Sequence, residues 1–383
     1  MKYYEDQIVN KAKSNTRIKI INKYCDYEEY RDILKKIDIM PILHDLKHLT
    51  VGNSSVVYSC ITHEIPVVIP ENCLHLKKML IFKSYEEAKS LEDFIDKIIL
   101  ISNNFNFYLK ESKKLAISFK NTISCGTSTA YSVPCMFFLE GEKNFNIIKS
   151  RYQSNVLDVL ELAGIKTIWV NNNSSCKHVC DRIEIFDLVD QKGTEDKNSN
   201  FDEILLDITN KIISDSEGNI LIVLHTIGSH GPSYYKRFPE KFAKFKPYCK
   251  NESPQNCSKE ELSNAFDNTI LYTDYILSSI INILEDKKEY DTFMFYASDH
   301  GESLGENGIY LHGLPKKLSI KQQTDFAMVL WLSDQLVKNR NINVNKIKNL
   351  INKELNHDYI SHTLLNLFGV ESLVNKKELS LIN

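Results

Sequence analysis

Short apolar runs alternate along this chain with longer segments in which apolar residues recur at helical spacing. The short runs have the length of buried β-strands, and the longer spacing predicts amphipathic helices. The pattern predicts strands at 65–70, 115–119, 167–170, 219–224, 292–297 and 326–332, and helices at 85–101, 130–139, 154–162, 203–215, 258–286 and 357–367. Strands and helices that alternate in this way are typical of a layered α/β fold.

The first part of the chain, residues 1–115, contains a compact example of this pattern. The segment GNSSVVYSCITHEIPVVIP, at 52–70, combines a strand end, a small-polar turn, a helix and a buried strand, which predicts a βαβ unit. The turn residues Asn53, Ser54 and Ser55 could receive a phosphate through backbone amides, or simply cap the helix. The segment loosely resembles the nucleotide-binding half of a two-domain (GT-B) glycosyltransferase. By that resemblance, residues 1–115 form a small α/β, half GT-B-like fragment.

Polar side chains follow four of the predicted strands in the second part of the chain. They lie at 120–129, 171–178, 225–232 and 299–313. Because ligands bind at the carboxyl ends of strands in open α/β sheets, we expect these segments to form a site. Carboxylate and imidazole side by side in Asp299 and His300, with a second imidazole at His312, suit Zn²⁺.

The segment at 120–129 is rich in hydroxyl side chains and leads into a predicted helix. A Thr hydroxyl at such a strand-to-helix turn lies where backbone amides and the helix dipole favour an incoming phosphate. Ser and Thr residues also cap helices very commonly. The residues themselves therefore leave a nucleophile and a helix cap as alternatives.

Length and charge narrow the class of protein. The 383 residues suffice for two ordinary domains, and a formal charge of −3 gives no reason to expect nucleic-acid binding. The first residues lack the apolar core of a signal peptide, and no apolar run approaches the roughly 20 residues of a membrane-spanning helix. We therefore expect neither an export signal nor an anchor in this chain, which would favour cytoplasmic retention.

The nine cysteines are unevenly arranged. Cys25, Cys60 and Cys73 are scattered, as ordinary thiols are in a reducing compartment. The later six fall in close pairs in loop-like sequence, which indicates local disulfides and an oxidising compartment. CKHVC could instead be half of a zinc site, but no matching second half follows it. The two parts of the chain thus favour different compartments.

Five motifs in the second part resemble the periplasmic catalytic domain of lipid A phosphoethanolamine transferases, the group that includes mobile colistin-resistance (polymyxin-resistance) enzymes. They are SFKNTISCGTSTAYSVPCMFF, NNNSSCKHVCDR, VLHTIGSHGPSYYKRFP, DNTILYTDYIL and YASDHGESLGENGIYLHGLP. The resemblance runs from about Ser118 to Leu367 and places the chain in the alkaline phosphatase and sulfatase superfamily. It implies a layered αβα catalytic domain at 116–383 that lacks the family's first strand.

The same resemblance implies roles for individual residues. Thr129 matches the family's nucleophile and zinc ligand, and Asp299 and His300 match two further ligands of that zinc. Other matched positions line the phosphoethanolamine pocket or hold a second zinc, namely Asn173, Lys177, His230, Glu302 and His312, of which Lys177, His230 and His312 would also assist catalysis. The family disulfides match Cys125 with Cys135, Cys176 with Cys180, and Cys249 with Cys257.

The reaction implied by the resemblance has two steps. Thr129, activated by Zn²⁺, takes phosphoethanolamine from phosphatidylethanolamine and releases diacylglycerol. The phospho-threonine then passes the group to lipid A or another surface glycan. By resemblance the substrates lie at a membrane surface, on the periplasmic face of the inner membrane.

The chain departs from the family at one ligand. The family's fourth zinc ligand is a Glu in a Gly-Glu-Ser/Thr turn after the first strand, and no such turn precedes Thr129. The nearest apolar run, 98–102, ends in Asn103 and Asn104, and Glu111 is the nearest acidic residue. Loss of one charged ligand weakens a four-ligand site, so we expect impaired activity. The pattern indicates a fusion or a truncated gene with its join near 113–119.

Three alternatives follow from these residues. One is a phosphatase-type hydrolase of the same superfamily; a true sulfatase is disfavoured because CGTST lacks the Pro and Arg of the Cys/Ser-x-Pro-x-Arg motif. Another is a catalytically inactive remnant that binds only a ligand or partner. The last is sugar-nucleotide binding by residues 1–115.

Overall fold

The computed structural model describes residues 37, 39–41, 65–71, 85–105, 116–188 and 201–383. The chain divides into two compact units, Met1–Leu115 and Ala116–Asn383. The turn at 53–55 and Glu111 lie outside the described residues, as do Cys25, Cys60 and Cys73. Phosphate binding by that turn therefore stays a prediction, as does the glycosyltransferase-like character of the first unit.

The described residues of the first unit form a parallel sheet and one helix. Its elements are β1 (Met40–Pro41), β2 (Val67–Pro70), β3 (Tyr85–Ala88) and α1 (Leu91–Asn103), with strand order β1-β2-β3. The prediction of one helix over 85–101 was wrong at its start, since 85–88 pair with β2 as a strand. The helix begins later because the Ser90 side chain accepts the N–H of Asp93 at 3.2 Å and caps it. The apolar run at 98–102 lies within α1.

The second unit alternates strands and helices along most of its length. Its strands are β4 (Ile117–Phe119), β5 (Thr122–Ile123), β6 (Lys166–Asn171), β7 (Glu184–Asp187), β8 (Ile220–His225), β9 (Phe293–Ala297), β10 (Ser303–Leu304), β11 (Tyr310–Leu311), β12 (Met328–Leu332) and β13 (Leu355–Asn356). Its helices are α2 (Thr129–Met136), α3 (Ile147–Ser150), α4 (Val156–Leu162), α5 (Ile204–Asp215), α6 (Lys259–Asp286), α7 (Lys321–Thr324), α8 (Asp334–Asn339), α9 (Val344–Lys348) and α10 (Asp358–Phe368). None of the helices in the described ranges is both long and apolar enough for a bilayer span.

Two three-stranded sheets form the centre of the second unit. In one, β6 lies between β7 and β8 and is parallel to both. In the other, β12 lies between β4 and β9 and is antiparallel to both. Among the described strands, none pairs with the second edge of β8 or with the second edge of β9.

Apolar side chains cover both faces of β6. Trp169 packs in a cluster with residues of α2, α4 and α10, whereas Ile168 and Val170 pack with Leu205 and Ile212 of α5. Neighbouring residues of a strand point to opposite faces, so this division places helices on both sides of the sheet. The result is the layered αβα arrangement.

The second sheet shares its core with the first. Met328 and Leu330 of β12 pack with Ile117 and Phe119 of β4 in a further buried cluster. Residues of β9 contact this cluster and also the cluster around Trp169. Strand β9 therefore links the two halves of the core and fixes the segment that follows it.

Capping residues fix where the helices around the sheets begin. Asn155 starts α4 with a capping box, in which Asp158 accepts the Asn155 N–H at 2.7 Å. Ser258 and Glu261 form the same motif at the start of α6. The observed boundaries lie within three residues of most predicted ones. Residues 184–187 form the largely exposed edge strand β7.

Candidate active site

Thr129 is the first residue of α2. The preceding Ser128 is extended, with φ −150° and ψ 146°, and its side chain makes no capping hydrogen bond. The first N–H groups of α2 therefore donate no hydrogen bond to the Ser128 side chain. Together with the helix dipole, they favour an anion beside Thr129. The disulfide between Cys125 and Cys135 encloses this turn.

Asp299 and His300 follow β9 at its carboxyl end. The Nδ1–H of His300 donates to the Gly301 carbonyl at 2.8 Å, which leaves Nε2 as an acceptor. That Nε2 is buried without a hydrogen-bond partner and lies 3.6 Å from Oδ2 of Asp299. Histidines that bind a metal through one ring nitrogen usually donate the N–H of the other to a carbonyl or carboxylate oxygen, as His300 does. The Asp299–His300 pair therefore fits a cation.

Gly301 allows this segment to pass against backbone. A Cβ atom at Gly301 would lie 2.1 Å from the carbonyl oxygen of Gln322 and 2.3 Å from that of Asp325. The Gly301 N–H donates to the Gln323 carbonyl at 3.1 Å. No side chain fits here, and the neighbouring backbone holds His300 in position.

His357 joins the Thr129 turn to the Asp299 turn. The N–H of Cys125 donates to Nδ1 of His357 at 3.1 Å, and Nε2 of His357 donates to the Ser298 carbonyl at 3.1 Å. Burial lowers the pKa of His357 to about 4. The imidazole is therefore neutral near pH 7. In this form one ring nitrogen accepts the Cys125 N–H and the other donates to the Ser298 carbonyl.

Glu302, His312 and Tyr234 form a second polar group beside His300. Nδ1 of His312 donates to Oε2 of Glu302 at 2.9 Å, and the Tyr234 hydroxyl donates to Oε1 of Glu302 at 2.8 Å. The rings of His300 and His312 lie 4.2 Å apart. In the described part of the chain, His300, Glu302 and His312 are the one set of three metal-ligating side chains whose ligand atoms lie within 4.8 Å of one another.

Two imidazoles of the site differ in their electrostatic surroundings. The hydrogen bond to Glu302 raises the pKa of His312, although burial opposes it. Burial lowers the pKa of His230, whose Nδ1 donates to the Gly231 carbonyl at 2.6 Å. Their rings lie 5.2 Å apart. Neighbouring groups whose pKa values move in opposite directions suit a proton donor and a proton acceptor.

Asn173 and Lys177 lie in the loop after β6. The Asn173 amide donates to the Thr226 carbonyl at 3.0 Å, which ties this loop to the segment after β8. Lys177 has a positive φ of 51°, and its ammonium donates to Ser174 at 2.9 Å. The disulfide between Cys176 and Cys180 closes the loop, and a third disulfide joins Cys249 to Cys257. All three bridges pair as the resemblance implied.

One cavity of about 1050 Å³ reaches most of these side chains. The predicted site residues that line it are Thr129, Asn173, His230, Asp299, His300 and Glu302. His312 contacts the site through Glu302 and His300, whereas Lys177 does not line the cavity and donates to Ser174 within its own loop. The four polar segments predicted to form a site do lie together.

The sulfatase family model matches residues 100–370, which is well over half of the chain. The chain belongs to the sulfatase family. The α/β, alkaline phosphatase and sulfatase-like fold predicted from the motifs is thereby confirmed.

Within the sulfatase family, the chain is similar to phosphoethanolamine transferases. It is 42% identical over 266 residues to phosphoethanolamine transferase EptA of Escherichia coli K12, covering 68% of this chain and 48% of that protein. It is 39% identical over 263 residues to phosphatidylethanolamine transferase Mcr-1 of Escherichia coli, covering 66% and 47%. The chain thus spans about half the length of these curated relatives.

A solved structure supports the same likeness. The soluble domain of lipooligosaccharide phosphoethanolamine transferase A from Neisseria meningitidis matches with a TM-score of 0.67 and 36% identity. The match covers 70% of this chain and 81% of that domain. The second unit therefore has the fold of such a soluble domain.

Sequence reasoning missed several residues that shape the site. His357, Tyr234 and Asp202 were not predicted, and His225 was included only as the first residue of the polar segment predicted at 225–232. Burial lowers the pKa of His225 to about 4; Asp299 opposes this shift, and Lys177 adds to it. Asp202 accepts the N–H groups of Ile227 and Gly228 at 3.0 and 2.9 Å. Only His225 had a sequence signal, because it directly follows the strand predicted at 219–224.

Proposed function

We propose that this member of the sulfatase family transfers phosphoethanolamine from phosphatidylethanolamine to lipid A or another surface glycan. The observation that carries the proposal is the Thr129 hydroxyl at a helix N-terminus, on the same cavity as a buried His300 nitrogen that has no hydrogen-bond partner. The names of the relatives support the transferred group, and one of those names includes phosphatidylethanolamine. The name of the solved relative supports a lipid-linked glycan as acceptor.

Zn²⁺ is the cation that this donor set suits, with Thr129, Asp299 and His300 as its ligands. When bound, it would supply Lewis-acid stabilisation of negative charge on the hydroxyl and on the phosphoryl oxygens. Glu302 and His312, which share His300 as a neighbour, would hold a second ion or orient the substrate. In the described ranges, no further carboxylate joins Asp299 and His300 in a set of three ligand atoms that lie within 4.8 Å of one another. We therefore expect zinc affinity below that of a four-ligand site.

The chemistry of the first step falls to the side chains around Thr129. Its Oγ would attack the phosphorus of phosphatidylethanolamine, the bond from phosphorus to the diacylglycerol oxygen would break, and that oxygen would take up a proton. His230 would accept the Thr129 proton, and His312 would protonate the leaving alcohol. Lys177 and Asn173 would neutralise and orient the non-bridging oxygens. The acceptor oxygen would then attack the phospho-threonine and return Thr129 to its starting state.

The first experiment is intact-mass analysis of the full chain, loaded with zinc and incubated with phosphatidylethanolamine vesicles. We expect a phosphoethanolamine adduct that peptide mapping places on Thr129. The adduct should be absent in Thr129→Ala and present in the matched control Ser128→Ala, which removes the neighbouring hydroxyl. An adduct of equal size in Thr129→Ala would refute the nucleophile.

The same incubation separates the alternatives. Free phosphoethanolamine without transfer to added lipid A would identify a phosphatase-type hydrolase. Failure of the purified chain to bind zinc, together with no adduct, would identify an inactive remnant. If the site acts in catalysis, it faces a membrane surface, and by family likeness that surface is the periplasmic face of the inner membrane.

A further inference from the structure

Asp202 carries a buried carboxyl group that the proposed reaction does not use. It lies just before α5, outside the four polar segments predicted from the sequence, and it is 4% exposed. A carboxylate removed from water is stable where its oxygens accept hydrogen bonds or meet a positive charge. The donors to Asp202 therefore show which parts of the chain this charge holds in place.

The hydrogen-bond donors to Asp202 come from two different loops. Oδ1 accepts the side-chain amide of Asn172 at 2.7 Å and the N–H of Ile227 at 3.0 Å. Oδ2 accepts the N–H of Gly228 at 2.9 Å. Asn172 lies in the loop after β6, whereas Ile227 and Gly228 follow β8. Hydrogen bonds to an ionised acceptor are roughly twice as strong as neutral ones, so one buried charge joins the two loops firmly.

The backbone after β8 is shaped to meet this carboxylate. Gly228 has a φ of 53°, a conformation that residues with a side chain rarely adopt. Its N–H and that of Ile227 both donate to Asp202. Successive N–H groups that converge in this way form a site for an anion, and the Asp202 carboxylate occupies it.

Each of the two loops carries a residue of the proposed reaction next to these contacts. Asn173 directly follows the amide donor of the first loop, and His230 lies two residues after Gly228. The Nε–H of Arg237 donates to the His230 carbonyl at 2.8 Å. Burial lowers the pKa of Arg237, and the nearby charge of Asp202 opposes this shift. The backbone around His230 is thus held from both sides.

We propose that Asp202 is a positioning residue, whose charge holds Asn173 and His230 at a fixed separation beside the phosphoryl group. This inference rests on the proposed function, in which Asn173 orients a non-bridging oxygen and His230 accepts the Thr129 proton. Asp202 borders the cavity, but both of its oxygens already accept hydrogen bonds, so it acts through the two loops. Loss of its charge should slow the chemical step more than it weakens binding of the donor lipid.

The first test compares Asp202→Asn with the wild type in the adduct assay on the full, zinc-loaded chain. The variant keeps the shape of the side chain but turns an amide donor towards a donor of one loop. At saturating phosphatidylethanolamine, the rate constant of adduct formation should fall about tenfold or more, and the half-saturating concentration should change less than about threefold. A role in folding alone would lower the final amount of adduct and leave its rate constant unchanged.

Hydrogen exchange tests the link between the loops in the full chain without zinc or lipid. The backbone N–H of Asn172 donates to the His225 carbonyl at 2.9 Å, so it joins the loops without bonding to Asp202. Its exchange should be about tenfold faster or more in Asp202→Asn, with no change in the amides of β12. If the wild type forms no adduct, the proposed function fails, and this exchange result decides on Asp202.

Two further variants complete the test. Asn172→Ala removes one of the three donors and leaves the charge, so it should change both measurements in the same direction by a smaller factor. It also decides the question if Asp202→Asn does not fold. Glu161→Gln is the matched control, because Glu161 accepts the Thr167 N–H at 2.6 Å near the opposite end of β6. Both measurements should stay at their wild-type values in this control.

Three results would overturn the proposal. One is a rate constant in Asp202→Asn that equals the wild-type value, with or without weaker binding of the donor lipid. Another is unchanged exchange of the backbone amide at position 172 in the folded variants. The third is an equal acceleration of exchange throughout the second unit, which would show a general loss of stability.

Discussion

His357 is the residue whose position the candidate site depends on most directly. It connects the backbone of Cys125 to that of Ser298, four residues before Thr129 and one before Asp299. Both of its ring nitrogens are used, and the side chain is buried. It is a positioning residue, because it holds the two turns that carry the candidate ligands and is not one of the residues that line the cavity.

Replacement of His357 by alanine should separate these turns. The change leaves a buried N–H and a buried C=O unpaired, and we expect the free energy of unfolding to fall by about 3 kcal/mol. Zinc affinity, measured by competition with a chromogenic chelator, should fall about tenfold or more, as for other residues that orient metal ligands.

His178→Ala is the matched control for that variant. His178 is exposed and pairs with Asp181 in the loop after β6, so neither stability nor zinc affinity should change much. Loss of stability in His357→Ala with full zinc affinity would mean that His357 serves packing alone.

Some of these residues could be predicted from the sequence, and others could not. Asp299 and His300 are adjacent and follow a clear strand, so their chemistry could be inferred directly. His357 contacts Cys125 across 232 positions, and such a contact has no local pattern. At 357–367 the apolar spacing predicted a helix, and a histidine at its start gives no indication of what it bonds.

At the scale of elements, helix α6 contains a carboxyl group whose burial disfavours its charged form. Burial raises the pKa of Asp274 from 3.8 to about 6. The folded protein therefore keeps a proton that the unfolded chain releases at lower pH. Stability should fall as pH rises from about 4 to about 6, and it should stay lower above that range.

Asp274→Asn should remove this penalty. We expect the free energy of unfolding at pH 7 to rise by about 1–3 kcal/mol, because the amide needs no ionisation, and to change little at pH 4. Urea unfolding at the two pH values measures the difference. Asp207 is exposed, and Asp207→Asn serves as the control. It should change the free energy of unfolding by less than about 0.5 kcal/mol at both pH values. A loss of stability at pH 7 would show that the Asp274 carboxylate is needed in its charged form.

Elements with strong apolar patterns were predicted well, and those defined by pairing were not. β6, β8 and β9 are runs of buried or half-buried apolar residues, and each lies within two residues of its predicted position. β7 is largely exposed and owes its extended form to pairing with β6. Residues 85–88 are likewise a strand because they pair with β2. Sequence periodicity does not report such pairing.

At the scale of the whole molecule, the second unit has its own core. The clusters around Trp169 and around Met328 contain residues of 116–383 alone. A unit that buries its own apolar surface is expected to fold by itself.

A fragment of residues 116–383 should therefore show the thermal transition that the second unit has in the full chain, within about 2 °C by calorimetry. A fragment of residues 100–383, which begins where the family match begins, is the matched comparison. If the shorter fragment loses the transition and the longer one keeps it, residues 100–115 contribute to the fold.

The motifs predicted the fold of the second unit because they are long, ordered and attached to strand ends. They could not reveal that β8 and β9 border a shared cavity, since strand neighbours depend on the complete sheet. The described strands of the first unit are short and rely on one another for pairing, which sequence periodicity does not report.

The three bridges of the second unit join cysteines only 10, 4 and 8 positions apart. Short loops close at little entropic cost, so each thiol meets its native partner far more often than any distant one. Oxidative refolding of this polypeptide should thus yield few scrambled isomers, and a thiol oxidase without an isomerase should suffice to mature it.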